Sequence, residues 1–414
     1  MSERTASTRR TLSRRRFIQL AATAALLGAC RPAEPLAAPE ATAAPTVPPR
    51  STPTPPPTAA PTASPTPTAS PSPTATAMPT AAPTHTPSAA AQVAIARAGS
   101  YDPATVRQAV RALLDSLGGL AGVVGAGDRV AIKVNLTGGS HYSPPAGIPA
   151  TESYMTHPQV VRALGELVRD AGARELYIVE AVFDDGSFRR YGYEEVAQAL
   201  GATLVDLNLP HPYADYAAFP VGPGWFVYQQ FTMNRLLQEV DAFISVAKMK
   251  AHCRCGVTLA MKNLVGLVPA AFYRLGASDW WRSALHGANN DEARTRLPRV
   301  VVDLNRARPI HLALIDGIRS GDAGEVPRGA FAPLAPGVLV AGKDPVAADA
   351  VATAVMGFDP AASYPNPPFV NADSHLELAS QLGLGTHRLD RIQVLGESIA
   401  DVRQAFRPCW SEEG

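Results

Sequence analysis

The chain has 414 residues and a formal net charge of +1, from 37 Lys and Arg against 36 Asp and Glu. Residues 1–16 hold six arginines and one glutamate, so the remainder is mildly acidic, which excludes a nucleic-acid footprint. Four cysteines with no second close pair exclude both a disulfide-framework fold and a four-ligand cysteine zinc site.

Residues 13–30 read SRRRFIQLAATAALLGAC. Arg14 and Arg15 precede Phe17 and Ile18, and an apolar stretch runs from Leu20 to Leu27. It is too short to span a bilayer and reads as an export signal. The arginine pair resembles the twin-arginine signal, which implies the export machinery for folded proteins as a partner. LLGAC at 26–30 resembles a lipobox, which implies lipidation of Cys30 and a lipid anchor on the extracytoplasmic face of the cell membrane. The signal is expected over residues 1–30. Residues 31–92 follow as a disordered Pro/Thr/Ala-rich stalk; 18 of the 39 prolines lie between 31 and 90. As polyproline-like chain it reaches on the order of 180 Å.

A globular α/β domain is expected over 93–400, with 401–414 as a C-terminal tail. RVAIKVN (129–135) reads as a strand, and HPQVVRALGELVRDAGA (157–173) as a helix with Thr156 and Gln159 in a capping-box pattern. ELYIVEA (175–181) is a strand, 193–200 a helix and ATLVDL (202–207) a strand. EVDAFISVAK (239–248) is a buried strand whose end opens a chemical cluster. A second alternation follows: a helix near 296–307, IHLALID (310–316), PGVLVAG (336–342), a helix opened by Asp344 and Pro345, and RIQVLGE (391–397). This predicts a mainly parallel sheet covered by helices, either as two α/β lobes or as one large sheet. Ligands of such folds sit at strand carboxyl ends, which gathers 248–263, Asn135 and Glu180 around one crevice.

The cluster is AKMKAHCRCGVTLAMKNLVG, residues 247–266. Lys248, Lys250 and Lys262 suit an anion, and a crevice lysine can also lose its proton. His252 suits proton transfer, as acid or base. Thr258 and Lys262 share a face if the segment is helical, and Asn135, Thr258 and Asn263 are candidate substrate contacts. Asp316 ends a strand at the same rim and suits substrate or metal. Asp344 reads as an N-cap, and Asp349 as a polar helix face or a buried hydrogen-bond partner rather than a ligand. Trp280 and Trp281 either cover the crevice or pack. Three cysteines follow Cys30, so at least one thiol is free or paired with another molecule. A bridge from Cys253 or Cys255 to Cys409 is easier to form than one between the first two.

KMKAHCRCGVTLAMKNLVG is similar to the signature of the family known as domain of unknown function 362, and VAIKVNL, PIHLALIDGI and AGKDPVAADAVATAVMGFDP agree in order. The resemblance covers roughly residues 93–398 and implies an α/β fold. Ala251 stands where relatives usually have threonine, and IRSGDAGEVPRG replaces their acidic loop. More remotely, His252, Gly256, Thr258 and Lys262 resemble a run in lactate racemase-like nickel-pincer enzymes. That likeness implies a nucleotide held covalently on Lys262, proton handling by His252 and nickel on a later histidine, for which His286 is the candidate. Three functions follow: an extracytoplasmic enzyme acting on a small anionic substrate, a non-catalytic anion-binding lipoprotein, or a metal-dependent racemase or isomerase.

Overall fold

Short β-branched runs between amphipathic helical stretches leave strands apolar on both faces, so each strand must be covered twice. The computed structural model describes residues 90–410 and meets that demand with one 10-stranded sheet between two helical layers. Arg14, Arg15, Cys30 and the proline-rich stretch lie outside the described residues.

The strands are β1 (Ala91–Arg97), β2 (Arg129–Lys133), β3 (Glu175–Glu180), β4 (Thr203–Asp206), β5 (Tyr216–Pro220) and β6 (Gln230–Asn234). They continue with β7 (Ala242–His252), β8 (Gly256–Thr258), β9 (Leu312–Asp322), β10 (Ala332–Leu334), β11 (Val338–Gly342) and β12 (Ile392–Gly396). The sheet order is β12-β1-β11-β9-β7-β2-β3-β4, with β8 added to β7 and β10 to β9, while β5 and β6 pair separately. Along that path every pairing is parallel except the two made by β11. Of the two expected arrangements, the single mainly parallel sheet is the one adopted.

Helices α1 (Pro103–Ser116), α2 (Pro158–Asp170) and α3 (Tyr193–Leu200) cover one face. Val106, Val160 and Val196 meet Val130, Ile132 and Ile244 there. Helices α4 (Asn290–Ala307) and α5 (Pro345–Val355) cover the other, where Val300 and Val351 meet Ala131, Phe243 and Ile315. Neighbouring strand residues thus alternate between two cores.

Asp344 caps α5 as expected, accepting from Ala347 N at 2.9 Å, with Pro345 in the first turn. The α2 start differs. His157 is the N-cap, its Nδ1 accepting from Gln159 N at 3.2 Å. Thr156 is drawn away because its hydroxyl donates to Val246 O at 2.9 Å and accepts from Asn135 N at 3.1 Å. Helix α4 starts at Asn290, earlier than expected, because Asn289 caps it through Glu292 N.

The largest departure is in the chemical cluster. Strand β7 does not end at Lys248 but continues to His252, and all 11 of its residues are buried. It turns back into β8, with Lys250 opposite Thr258 and His252 opposite Gly256. A 3-10 turn, Lys262–Leu267, follows. Thr258 and Lys262 therefore do not share a helix face. Gly256 has φ 76°, and a Cβ there would lie 2.7 Å from the Phe369 ring, so the hairpin requires glycine. Cys253 bonds to Cys409 with Cα atoms 4.7 Å apart, which ties the end of the chain to this turn. Cys255 is free and buried. Among the described residues no helix is long and apolar enough to cross a membrane.

Candidate functional site

Strands β2, β3 and β7 deliver Lys133, Glu180 and His252 at their carboxyl ends to one cavity of about 370 Å³. Lys262 and Asn263 enter from the 3-10 turn, Arg282 and His286 from the segment before α4, and Glu325 and Arg328 from the loop after β9. Trp280 and Trp281 also line it, so they cover the crevice.

One wall is a closed polar knot. Lys133 Nζ donates to Glu180 at 3.0 Å, to Val134 O at 2.7 Å and to Asn263 Oδ1 at 3.2 Å. Burial outweighs the Glu180 charge and holds the Lys133 amine down to about 8, while burial also pushes the Glu180 carboxyl up. The 3-10 turn packs directly on this pair at Gly266, where a Cβ would lie 2.2 Å from Glu180 Oε1. Asn263 Oδ1 accepts from Lys133 and from Asn135 Nδ2, and its Nδ2 donates to Ser245 Oγ at 3.1 Å. Asn135 Oδ1 accepts from Lys250 Nζ at 3.0 Å and Thr137 Oγ1 at 3.0 Å. Both asparagines border the cavity, and most of their amide hydrogen bonds are made within the wall, so they hold the site together.

Lys248 and Lys250 are corrected in the same way. They share a β7 face with His252, two residues apart, but neither lines the cavity. Lys248 Nζ is fully buried and donates to Asp316 at 3.0 Å, Tyr101 Oη at 2.7 Å and Thr151 O at 3.0 Å. Asp316 also accepts from Tyr101 Oη at 2.8 Å and His157 N at 3.0 Å. Lys248 and Asp316 are register partners of β7 and β9, so the carboxylate is consumed inside the sheet rather than standing at the rim. Lys250 donates to Asn135 and to Tyr154 O at 2.7 Å.

Lys262 is different. It is 7% exposed and borders the cavity, and among the described residues its Nζ makes no hydrogen bond or ion pair. Burial lowers its amine below the usual lysine range. Thr258, on the same cavity wall, has a buried hydroxyl with no partner among the described residues. Arg282 donates Nε to Val268 O and Nη2 to Ala181 O, each at 2.6 Å. Its Nη1 makes no hydrogen bond among the described residues.

The two cavity histidines are held in opposite tautomers. Arg254 N donates to His252 Nδ1 at 3.0 Å, so His252 carries its proton on Nε2. His286 Nδ1 lies 3.0 Å from Arg282 O, a carbonyl that can only accept, so His286 keeps a bare lone pair on Nε2. Burial first and the Lys262 charge second hold both rings unprotonated, His286 down to about 3. His252 Nε2 thus carries an N–H to donate, and His286 Nε2 a lone pair to accept. His286 and Asp316, the expected metal ligands, are not a donor pair, because Asp316 is committed to Lys248. Among the described residues no group of three or more His, Cys, Asp and Glu is placed to hold a metal ion.

Sequence reasoning missed Lys133, Arg282, Glu325 and Arg328. Lys133 carries a signal in hindsight: a lysine inside an apolar parallel strand must be paired or functional. Glu325 accepts from Cys253 N at 3.0 Å and lies 3.8 Å from His252 Nδ1, a placement that depends on the hairpin and was not readable from spacing.

The family profile described as "Domain of unknown function (DUF362)" matches residues 130–354. The chain belongs to this family. The match spans β2 to α5, and so includes every cavity residue named above. A thylakoid-associated protein of Synechocystis sp. is 28% identical to this DUF362 chain over 271 residues, 65% of the chain and 75% of that relative. A crystal structure of a protein from Thermotoga maritima aligns at 11% identity with a TM-score of 0.33. That alignment covers 69% of this chain and 60% of the other.

Proposed function

We propose that this DUF362 protein is an enzyme that binds a small anionic substrate in the cavity and moves a proton on it. The supporting observation is the Lys262 amine, unpaired among the described residues, on the same cavity as two histidines held in opposite tautomers. Lys133, Arg254, Lys262, Arg282 and Arg328 outnumber Glu180 and Glu325 around the cavity, so its field favours an anion. Arg282 Nη1 and Lys262 meet the negative group. His286 Nε2 takes a proton, and His252 Nε2–H donates to oxygen where charge develops.

A screen of small carboxylates and phosphates by thermal shift tests the reading. Stabilisation beyond that given by chloride is expected, with affinity falling at least tenfold in Lys262→Met. His286→Ala should retain binding and lose conversion of the bound anion, followed by NMR. No stabilisation by any anion sinks the reading; a ligand bound but never converted reduces the protein to an anion-binding one.

The same proposal places the protein outside the cytoplasm on a lipid anchor at Cys30, exported through Arg14 and Arg15. The Cys253–Cys409 bond supports this, because disulfides persist in oxidising compartments. Cys30→Ser is expected to release the protein from the membrane fraction. Equal membrane retention of that variant would refute the anchor.

A further inference from the structure

We infer that Lys262 forms an imine, and that the cavity takes a 2-oxo acid with an apolar or aromatic side chain. This rests on the anion reading above and names the substrate class of the same site.

The chain contains five lysines. Lys133, Lys248 and Lys250 are buried, and each amine is held by two or three fixed partners. Lys343 is exposed and donates to Ala121 O at 2.9 Å. Among the described residues, Lys262 alone combines cavity access with a nitrogen that bonds to nothing. An ammonium kept only for charge would gain by pairing with a carboxylate, as Lys133 and Lys248 do. An amine that faces a cavity with no side chain or backbone oxygen bonded to it among the described residues is instead available as a nucleophile.

The surroundings supply the rest. Arg282 offers a fixed cationic point for a carboxylate. Thr258 adds a buried hydroxyl in need of a partner. Trp280 is 40% exposed, stacks on His141 at 3.9 Å between centroids, and meets Phe183 edge-on at 5.5 Å. This aromatic side of the cavity suits an apolar or aryl group, and the cationic side suits a carboxylate. A ketone between them would lie at Lys262.

The step balances without an oxidant or a reductant. The Lys262 Nζ lone pair forms a bond to the carbonyl carbon, and the C=O π pair moves to oxygen. His252 Nε2–H donates to that oxygen. His286 Nε2 takes a proton from nitrogen and returns it to the oxygen, giving the carbinolamine. A second proton follows the same route as the C–O bond breaks, so the hydroxyl leaves as water and the nitrogen pair closes C=N. Amine plus ketone gives imine plus water.

The test incubates the full chain with phenylpyruvate and sodium cyanoborohydride and maps the reduced adduct by peptide mass. The adduct is expected on Lys262, at least tenfold above Lys343. It should vanish in Lys262→Arg, which keeps the charge, and persist in Lys343→Arg. Binding of phenylpyruvate and of phenyllactate, which has the charge but no ketone, is followed by tryptophan fluorescence. If both bind and no adduct forms, or if Lys343 is labelled equally, the imine is overturned and the anion reading stands. If phosphate or acetate stabilises the protein but phenylpyruvate does not bind, only the substrate class and imine fall. If no anion binds, both readings fall.

Discussion

Lys248 and Lys262 are both buried lysines of one motif, and the structure assigns them opposite energetic roles. The Lys248 amine neutralises Asp316 inside the sheet. Removing it leaves a carboxylate that is fully buried and uncompensated. Lys248→Met is therefore expected to destabilise the fold by about 3–5 kcal/mol. Lys262 has no hydrogen bond or ion pair among the described residues and feels Glu325 and Glu180 only at longer range, so its removal deletes a buried amine without stranding a bonded partner. Lys262→Met is expected to be neutral or to stabilise by up to about 1 kcal/mol, the usual sign where function is held at the expense of stability. Chemical denaturation of the two variants decides this. Equal destabilisation would mean that Lys262 is a structural residue.

At the scale of elements, the site depends on a helix that does not touch the cavity. Asp349 lies within α5 and accepts from Ala260 N at 2.8 Å and Met261 N at 2.9 Å, the two amides just before Lys262. It is a positioning residue, and Asp349→Ala leaves both amides unpaired. A loss of about 2–4 kcal/mol is expected, with weaker anion binding because the Lys262 turn is released. Denaturation and ligand titration of the variant check both; unchanged anion affinity would detach the α5 contact from the site. For Asp349 the sequence leaves a polar helix face and a buried hydrogen-bond partner open, and the bonds to Ala260 N and Met261 N select the second. Strands β2, β3, β4 and β11 were also legible, from apolar runs ended by turns, as were α2, α3 and α5 from spacing and caps. The course of β7 was not. Lys248, Lys250 and His252 look like a loop because charge ordinarily marks the surface. Only their cross-sheet partners Asp316, Asn135 and Tyr154 make a buried strand tolerable. His252, Thr258, Lys262 and His286, singled out by pattern, line the cavity, while the bonds that commit Lys248, Lys250, Asn135 and Asn263 to other groups are legible only in the tertiary contacts.

At the scale of the whole molecule, two features set stability. The Cys253–Cys409 bond joins positions 156 residues apart, for which loop entropy gives up to about 5 kcal/mol. Cys409→Ser is expected to lower stability by about 2–5 kcal/mol in denaturant titrations, and an unchanged midpoint would refute a structural role. The second feature is titration. Burial holds His157 down to about 4, His286 and His375 down to about 3, and His252, His311 and His387 below the ordinary histidine value. Their folded pKa values are depressed, so below pH 6.5 the unfolded chain takes up protons that the folded chain refuses, and stability falls with pH. Four carboxyls oppose this. Burial raises Asp349 to about 7 and also lifts Glu180, Asp206 and Asp344, so the folded chain holds protons there that the unfolded chain releases. Three histidines held at about 3 to 4 refuse protons that the unfolded chain takes up between pH 5 and 6.5, and Asp349, held at about 7, offsets only part of that uptake, so stability falls as pH falls through this window. Urea midpoints measured across that window should fall as pH falls. A flat or inverted profile would refute histidine burial as the source of the pH dependence, and an NMR titration showing His286 itself charged above pH 5 would remove the lone pair on its Nε2 from the chemistry proposed for it.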